Sequence, residues 1–504
     1  MKIKTLISFV LAPVISLSII FFTDLDPGNP SVSATLAVAL LMAVWWVTEI
    51  IPLAVTSLLP VALFPLLGIM NGKDVSMTYF NDVIFLFIGG FVIALAMQRW
   101  DLHKRIALNI LVMTGMSPAR ILLGFMLATA FLSMWISNTA TAMMMIPILL
   151  SIIRKLEEII DQKTIAKYTI GLLLGVAYSA SIGGIATLVG TPPNLSFARI
   201  FHIYFSEAPE ISFTRWFLFA FPITIIIFVT AWLYLYFMFK PSKESWVNVD
   251  SKTLKDQLHA LGPMAFEEKL VFVNFLAVVI LWLFRIDIVF GSFTIPGWSD
   301  FFPLSNFITD GTVAIFIAVI LFILPASKGK NDRIMDWKTA RGLPWNIILL
   351  FGGGFALASG IKESGLSAWF GAHLAWVADY HVIIVIFVIA ILITFLTELT
   401  SNTATTEMIL PILAGISISA NIHPLLLMLP ATLSASMAFM LPVATPPNAI
   451  VFSTNSLRVA DMARAGLFLN LVGAVVITLM TYLLGTWMFD INIGELPTWA
   501  ISGK

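Results

Sequence analysis

Two five-residue stretches concentrate polar chemistry in an otherwise apolar chain. They are Ser137-Asn138-Thr139-Ala140-Thr141 and Ser401-Asn402-Thr403-Ala404-Thr405, the same residues 264 positions apart. Hydroxyl and carboxamide groups can donate to the oxygens of an anion, and their own oxygens suit a small hard cation. Inside lipid such groups are costly unless they line a site or a water-filled cavity. A second motif is also doubled: Thr191-Pro192-Pro193-Asn194 returns as Thr445-Pro446-Pro447-Asn448, 254 positions on. Threonine followed by proline reads as an N-cap and the first helical residue. The Ser-Asn-Thr stretches likewise put capping residue types just before an apolar helical pattern, with Pro147 and Pro411 in register. Four half-helix N-termini are therefore expected, each offering unpaired N–H groups and partial positive charge to an anion.

Oxygens for a cation lie beside these stretches. Ser133 and Thr397 put a hydroxyl about one helical turn before each tip, and Asn138 matches Asn402. Gly190 matches Ala444 just before each Thr-Pro-Pro-Asn, so a small side chain leaves the backbone carbonyl unobstructed. Each half thus proposes an oxygen-rich pocket between a hairpin tip and a broken helix, and two such cations would cancel the charge of a divalent anion held between them. A single Ser-Asn-Thr would read as helix-to-helix glue; two in register, each with its Thr-Pro-Pro-Asn, read as a site. Gly89-Gly90 and the glycines at 352–354 read as close helix packing, since no strand precedes them and no Lys-Ser/Thr follows. Three carboxylates lie in or beside apolar sequence: Glu49, at the edge of a span and read as solvated; Glu398, which would orient the second pocket or carry a proton; and Glu407. No nucleophile–His–Asp constellation and no metal-ligand spacing of His, Asp and Glu stand out, so neither an enzyme nor a cofactor is expected.

The elements that must position these residues are membrane helices. The chain of 504 residues is 59% hydrophobic and 11% charged, with a mean hydropathy of +0.97. Soluble domains are about 45–50% apolar and about 25% charged. A net charge of zero gives no basic face for nucleic acid, and no cysteine is present for disulfides or thiolate sites. Apolar runs of spanning length lie at 5–22, 33–51, 54–70, 83–97, 165–189, 216–239, 270–284, 311–325, 344–361, 425–443 and 465–488, eleven in all. The first follows Lys2 and Lys4 like a signal peptide, but no small-residue cleavage motif comes after it, so it is read as an uncleaved span. The regions 119–153 and 381–418 differ, each being interrupted at its centre by Ser-Asn-Thr. Their limbs are short for full crossings and read as re-entrant hairpins. With the N-terminus inside, 22 of the 28 basic residues fall on inside loops and 6 outside, and the C-terminus lies outside.

Repetition fixes the organisation. Phe87–Phe91 returns as Phe351–Phe355, again 264 positions on, with an odd number of crossings between, so the halves are inverted. The divisions expected are a first span and loop at 1–32 and repeat 1 at 33–239, with a hairpin at 119–155 and a broken helix at 165–203. A cytoplasmic connector follows at 240–269, read as a helix on the membrane surface carrying Leu254, Leu258 and Leu261. Repeat 2 covers 270–490, with a hairpin at 381–418 and a broken helix at 424–455, before a tail at 491–504.

At these residues the chain resembles the divalent anion:sodium symporter family, and within it the bacterial sodium-dependent dicarboxylate transporters. The resemblance is carried by Trp45-Trp46-Val47-Thr48-Glu49, Phe85–Phe91, Ser137–Thr141, Gly190–Asn194, Phe351–Phe355, Glu398–Thr405 and Ala444–Asn448. It implies an all-α polytopic membrane protein of eleven spans and two hairpins, forming a homodimer in a bacterial cytoplasmic membrane, with a transport domain that moves like an elevator. By motif position it implies one sodium site at Ser133, Ser137, Asn138 and Gly190 and another at Thr397, Thr400, Asn402 and Ala444. Substrate would meet Asn138, Thr139, Thr191, Asn402, Thr403 and Thr445. Thr400 is matched by Ile136 and Glu407 by Met143, so the halves are not identical, and Glu407 is expected to point away from an anion. The expected activity is sodium-coupled uptake of succinate, malate or fumarate. Dicarboxylate exchange, or citrate or sulfate as substrate, are the alternatives. A channel is disfavoured because polar residues gather at two tips and two breaks rather than along a stripe.

Overall fold

The computed structural model describes residues 3–158, 160–241, 252–290, 293–327 and 332–501. Lys2, Lys243, Lys328, Lys330 and Lys504, used in the charge count, lie outside them, as does part of the 240–269 connector. The described chain is helical apart from one two-stranded hairpin, Ile288–Phe290 against Phe293–Ile295, and an isolated bridge between Pro325 and Arg333. Among the described residues seven helices are long and apolar enough to cross a membrane, and six shorter apolar helices of 10–17 residues accompany them.

Each region that the sequence marks as interrupted is two helices meeting at a polar turn. Pro118–Ser133 is followed by Asn138–Glu157, and Val382–Thr397 by Asn402–Ser419. Gln162–Ile185 stops six residues short of Pro192–Tyr204. Pro424–Ser434 is separated from Pro446–Phe452 by a longer irregular stretch. The Thr-Pro-Pro sequence explains the second start in both cases. Proline lacks the N–H that a first-turn residue leaves unused, and its φ is already helical. The run at 54–70 is not one helix but Leu53–Thr56 and Leu59–Leu66, the second carrying Pro60 and Pro65.

The two halves interlock. The helix after the first tip, Asn138–Glu157, packs on Pro446–Phe452 of the second half, and Asn402–Ser419 packs on Pro192–Tyr204 of the first. At the centre lies Gln162–Ile185, buried at every residue from Gly171 to its end. A helix apolar on all sides belongs in the interior of a bundle. The glycine stretch at 87–91 serves contact: a Cβ on Gly89 would stand 2.6 Å from the Ala314 backbone of Asp310–Ile323. Two short helices were not expected, Leu102–Thr114 and Leu366–Leu374. They begin 264 residues apart and are themselves part of the repeat. The connector's described helix, Lys252–Ala260, packs against Leu102–Thr114 with Leu254 buried, rather than lying on a membrane surface alone.

One end of the bundle is fastened by a buried ion cluster. Arg285 Nε donates to Asp310 Oδ1 at 2.6 Å, its Nη2 to Glu210 at 2.6 Å and its Nη1 to the Ile308 carbonyl at 2.7 Å. Asp310 also accepts from the Phe213 amide at 2.7 Å, tying three helix ends together. Arg285 and Asp310 are 3% and 5% exposed, so removing one strands the other without solvent. Arg285→Met is expected to cost about 3–5 kcal/mol, and Arg285→Met with Asp310→Leu clearly less. Thermal unfolding of the purified variants in detergent checks this, and equal losses in both would contradict it.

Candidate substrate and cation site

Both tips and both breaks open onto one cavity of about 790 Å³. From the first half it is lined by Ser137, Asn138, Thr139, Gly190 and Thr191, and from the second by Thr400, Ser401, Asn402, Thr403, Ala444 and Thr445. Sequence positions more than 300 residues apart are thus brought to one space. Its lining also includes Phe87, Phe91, Leu350, Thr48, Glu49, Asn346 and Ile347. None of the residues that line it is Lys, Arg or His, and its one charged side chain, Glu49, is exposed.

Ser133 and Thr397 do not line the cavity; they stand fully buried behind its two asparagines. Ser133 Oγ lies 2.5 Å from Asn138 Oδ1 and 2.7 Å from the carbonyl oxygen of Ala180. Thr397 Oγ1 lies 2.7 Å from Asn402 Oδ1 and 2.8 Å from the carbonyl oxygen of Ala435. In each half one hydroxyl proton faces two acceptors, so three oxygens converge where a single proton is available. Such a surplus of oxygen suits a small hard cation. The first cluster needs a very close approach. A Cβ on Gly184 would come 2.7 Å from Asn138 Oδ1 and 3.2 Å from the Gly190 carbonyl.

The halves differ in detail. Ser137 Oγ accepts from the Ala140 amide at 3.3 Å and Thr445 Oγ1 from the Asn448 amide at 3.3 Å, both acting as caps. Ser401 and Thr191 occupy the cap positions without a side-chain cap bond, contrary to what their types suggest. Capping requires a particular side-chain rotamer as well as the right residue. Thr400 donates to the Leu396 carbonyl at 2.9 Å and meets Thr405 Oγ1 at 2.5 Å, whereas its counterpart Ile136 is buried and apolar.

Several positioning residues escaped the sequence reading. Asn194 Nδ2 donates to the carbonyls of Gly184, Ile185 and Thr187 at 3.2, 3.2 and 2.8 Å. Asn448 Nδ2 does the same to Ala438 and Leu441 at 3.1 and 3.0 Å. The last residue of each Thr-Pro-Pro-Asn therefore holds the carbonyls that the broken helix leaves orphaned. Ala180 and Ala435, whose carbonyls complete the oxygen clusters, stand within Ser179-Ala180-Ser181 and Ser434-Ala435-Ser436. That second small repeat was the signal available for them.

Glu398 orients the second break. Its carboxylate accepts from the amides of Phe439, Met440 and Leu441 at 2.7, 2.8 and 3.0 Å and from Asn470 Nδ2 at 2.7 Å. Four donors converge on this buried carboxylate, which suits an anchor for the second break. In the first half Met134 stands in this place, and its carbonyl takes the Thr187 hydroxyl at 2.5 Å instead. Glu407 lies outside the cavity, as expected of a carboxylate that would repel an anion.

The profile of the sodium:sulfate symporter transmembrane region matches residues 4–491. The sodium-dependent dicarboxylate transporter SdcS of Staphylococcus saprophyticus is 44% identical over 496 residues, covering 97% of this chain and 93% of its own. SdcS of Staphylococcus aureus strain MRSA252 is 43% identical over the same span and shares. Among solved structures, the Alcanivorax borkumensis YdaH transporter superposes with a TM-score of 0.53 at 13% identity, over 90% of this chain and 99% of that one. Neisseria gonorrhoeae MtrF gives 0.53 at 11% identity, over 97% and 95%; at such identities the likeness is one of fold. With a family profile matched along nearly the whole length and relatives this similar, the chain belongs to the sodium:sulfate symporter family of membrane transporters and is not an enzyme.

Proposed function

We propose that the protein takes up C4 dicarboxylates such as succinate, malate and fumarate together with sodium across a bacterial cytoplasmic membrane. One observation carries the reading: a cavity built for an anion has no cationic side chain in its lining, yet has a cluster of surplus oxygens behind each of its two asparagines. A dicarboxylate bound there needs its charge balanced, and the clusters can hold the balancing ions. With Oδ1 of Asn138 and Asn402 turned to the cations, their NH₂ groups are left to donate to the two carboxylates. Thr139, Thr403, Thr191 and Thr445 supply further hydroxyls, and the helix N-termini add positive potential. Sodium ligands are Ser133, Ser137, Asn138 and Gly190 on one side, and Thr397, Thr400, Asn402 and Ala444 on the other. The names of the SdcS relatives favour a dicarboxylate over sulfate.

The remaining architecture follows the same reading. Eleven spans and two re-entrant hairpins form inverted repeats in a homodimer, with the N-terminus inside and the C-terminus outside. Transport moves the tips and breaks as one body past the remaining helices.

Purified protein in liposomes tests the coupling. With sodium outside and no internal anion, labelled succinate is expected to accumulate. Uptake that ignores sodium and requires internal dicarboxylate would instead establish exchange. Asn138→Ala and Asn402→Ala are each expected to lower uptake at least about tenfold, a loss of about 1.4 kcal/mol or more, and normal transport by both would refute the site. Ser133→Ala and Thr397→Val are expected to raise the sodium concentration for half-maximal uptake several-fold, while saturating sodium restores most of the rate.

A further inference from the structure

Glu407 is left over by this mechanism. It lies on Asn402–Ser419, fully buried, between Pro192–Tyr204 and Trp345–Glu363. Ser196 Oγ donates to its Oε1 at 3.0 Å, and Oε2 has no hydrogen-bond partner among the described residues. Gly354 forms the notch that receives it, since a Cβ there would stand 1.9 Å from Oε2.

Among the described residues no cationic side chain pairs with it. Tyr79 is the titratable side chain coupled to it electrostatically, and its hydroxyl donates to the Ser57 carbonyl at 2.5 Å. On Pro192–Tyr204, Arg199 faces Asp82 at 3.6 Å, and His202 lies nearer the far end of the helix. On Trp345–Glu363, Lys362 Nζ donates to the Ile203 carbonyl at 2.6 Å, and Glu363 interacts with Lys362 and Asp74. His373 on the packed Leu366–Leu374 has its ring against the Trp369 carbonyl, and His423 caps Pro424–Ser434. Glu398, beyond the end of Val382–Thr397, is held by its own four donors. An isolated carboxylate so placed is prohibitively costly as an ion.

The buried carboxylate is particular to the second half. By the repeat registers Glu407 corresponds to Met143 and Ser196 to Ile450. Met143 is 61% exposed, so the first half has no enclosed counterpart of the Glu407 notch. We propose that Glu407 is a proton-binding site, separate from both sodium pockets: it is an uncharged carboxylic acid in this arrangement and ionises when its helix leaves the Gly354 notch. On that movement the O–H bond breaks, water entering the notch takes the proton, and the carboxylate remains; return to the notch requires the reverse. The movement rests on the alternating arrangement proposed above, whereas the protonated state in this conformation does not.

Two measurements test the proposal, and the first is independent of substrate and coupling. Infrared difference spectra of wild type against Glu407→Gln, both in lipid near neutral pH, are expected to show a carboxylic-acid C=O band in the wild type that the variant lacks. Absence of the band would overturn the proposal, even if the variant transports poorly. The second is sodium-driven succinate uptake at about pH 7 and about pH 9, where both succinate carboxyls are ionised. Wild-type uptake is expected to fall about tenfold across this range and Glu407→Gln uptake to change less than about twofold. A variant that keeps the wild-type pH profile, or a wild type with none, would also overturn it.

Discussion

The arrangement depends on two asparagine carboxamides, each held by one face and presented by the other. Asn138 Oδ1 accepts from the Ser133 hydroxyl, which also faces the Ala180 carbonyl, and Asn402 Oδ1 accepts from the Thr397 hydroxyl, which also faces the Ala435 carbonyl. That contact joins a hairpin tip to the end of a helix in the same half. It also sets the direction of each NH₂ group at the cavity. Replacing the surplus proton competition with a cation would relieve it and strengthen the same link. Cation binding and the order of the anion site therefore become one event, which is the physical content of coupling.

Holding helix ends open inside the bundle has its own cost, and the chain meets it differently in each half. Asn194 and Asn448 return donors to carbonyls abandoned at each break. The second break is longer and exposes three consecutive amides, at Phe439, Met440 and Leu441, which Glu398 accepts with one carboxylate. The first break is shorter, and the Thr187 hydroxyl with the Met134 carbonyl suffices there. A buried carboxylate with four donors and one with a single donor thus sit nine residues apart in one hairpin, Glu398 fixed and Glu407 poised.

Repetition made much of the site legible in the sequence, because polar groups in apolar sequence are conspicuous and a shared offset excludes chance. The Ser-Asn-Thr tips, the Thr-Pro-Pro starts and the paired hydroxyls at Ser133 and Thr397 were all readable in that way. Leu102–Thr114 was missed because His103, Lys104 and Arg105 look like loop residues; the same 264-residue offset to Leu366–Leu374 would have revealed it. The run at 54–70 looked like one span because hydropathy does not register what Pro60 and Pro65 do to a helix. The uncapped state of Thr191 and Ser401 was not legible at all, since it is decided by rotamers that tertiary packing selects. The backbone carbonyls of Ala180 and Ala435 were invisible for a simpler reason: every residue has one, and only the fold aims it.

The central claim is that one dicarboxylate is held between the two asparagines with a sodium ion behind each. A high-resolution map of the protein in lipid with succinate and sodium tests it directly. The expected result is an elongated density bridging Asn138 and Asn402, with one compact peak among Ser133, Asn138 and Ala180 and another among Thr397, Asn402 and Ala435. Succinate bound elsewhere, or bound there in sodium-free buffer with equal occupancy, would contradict it.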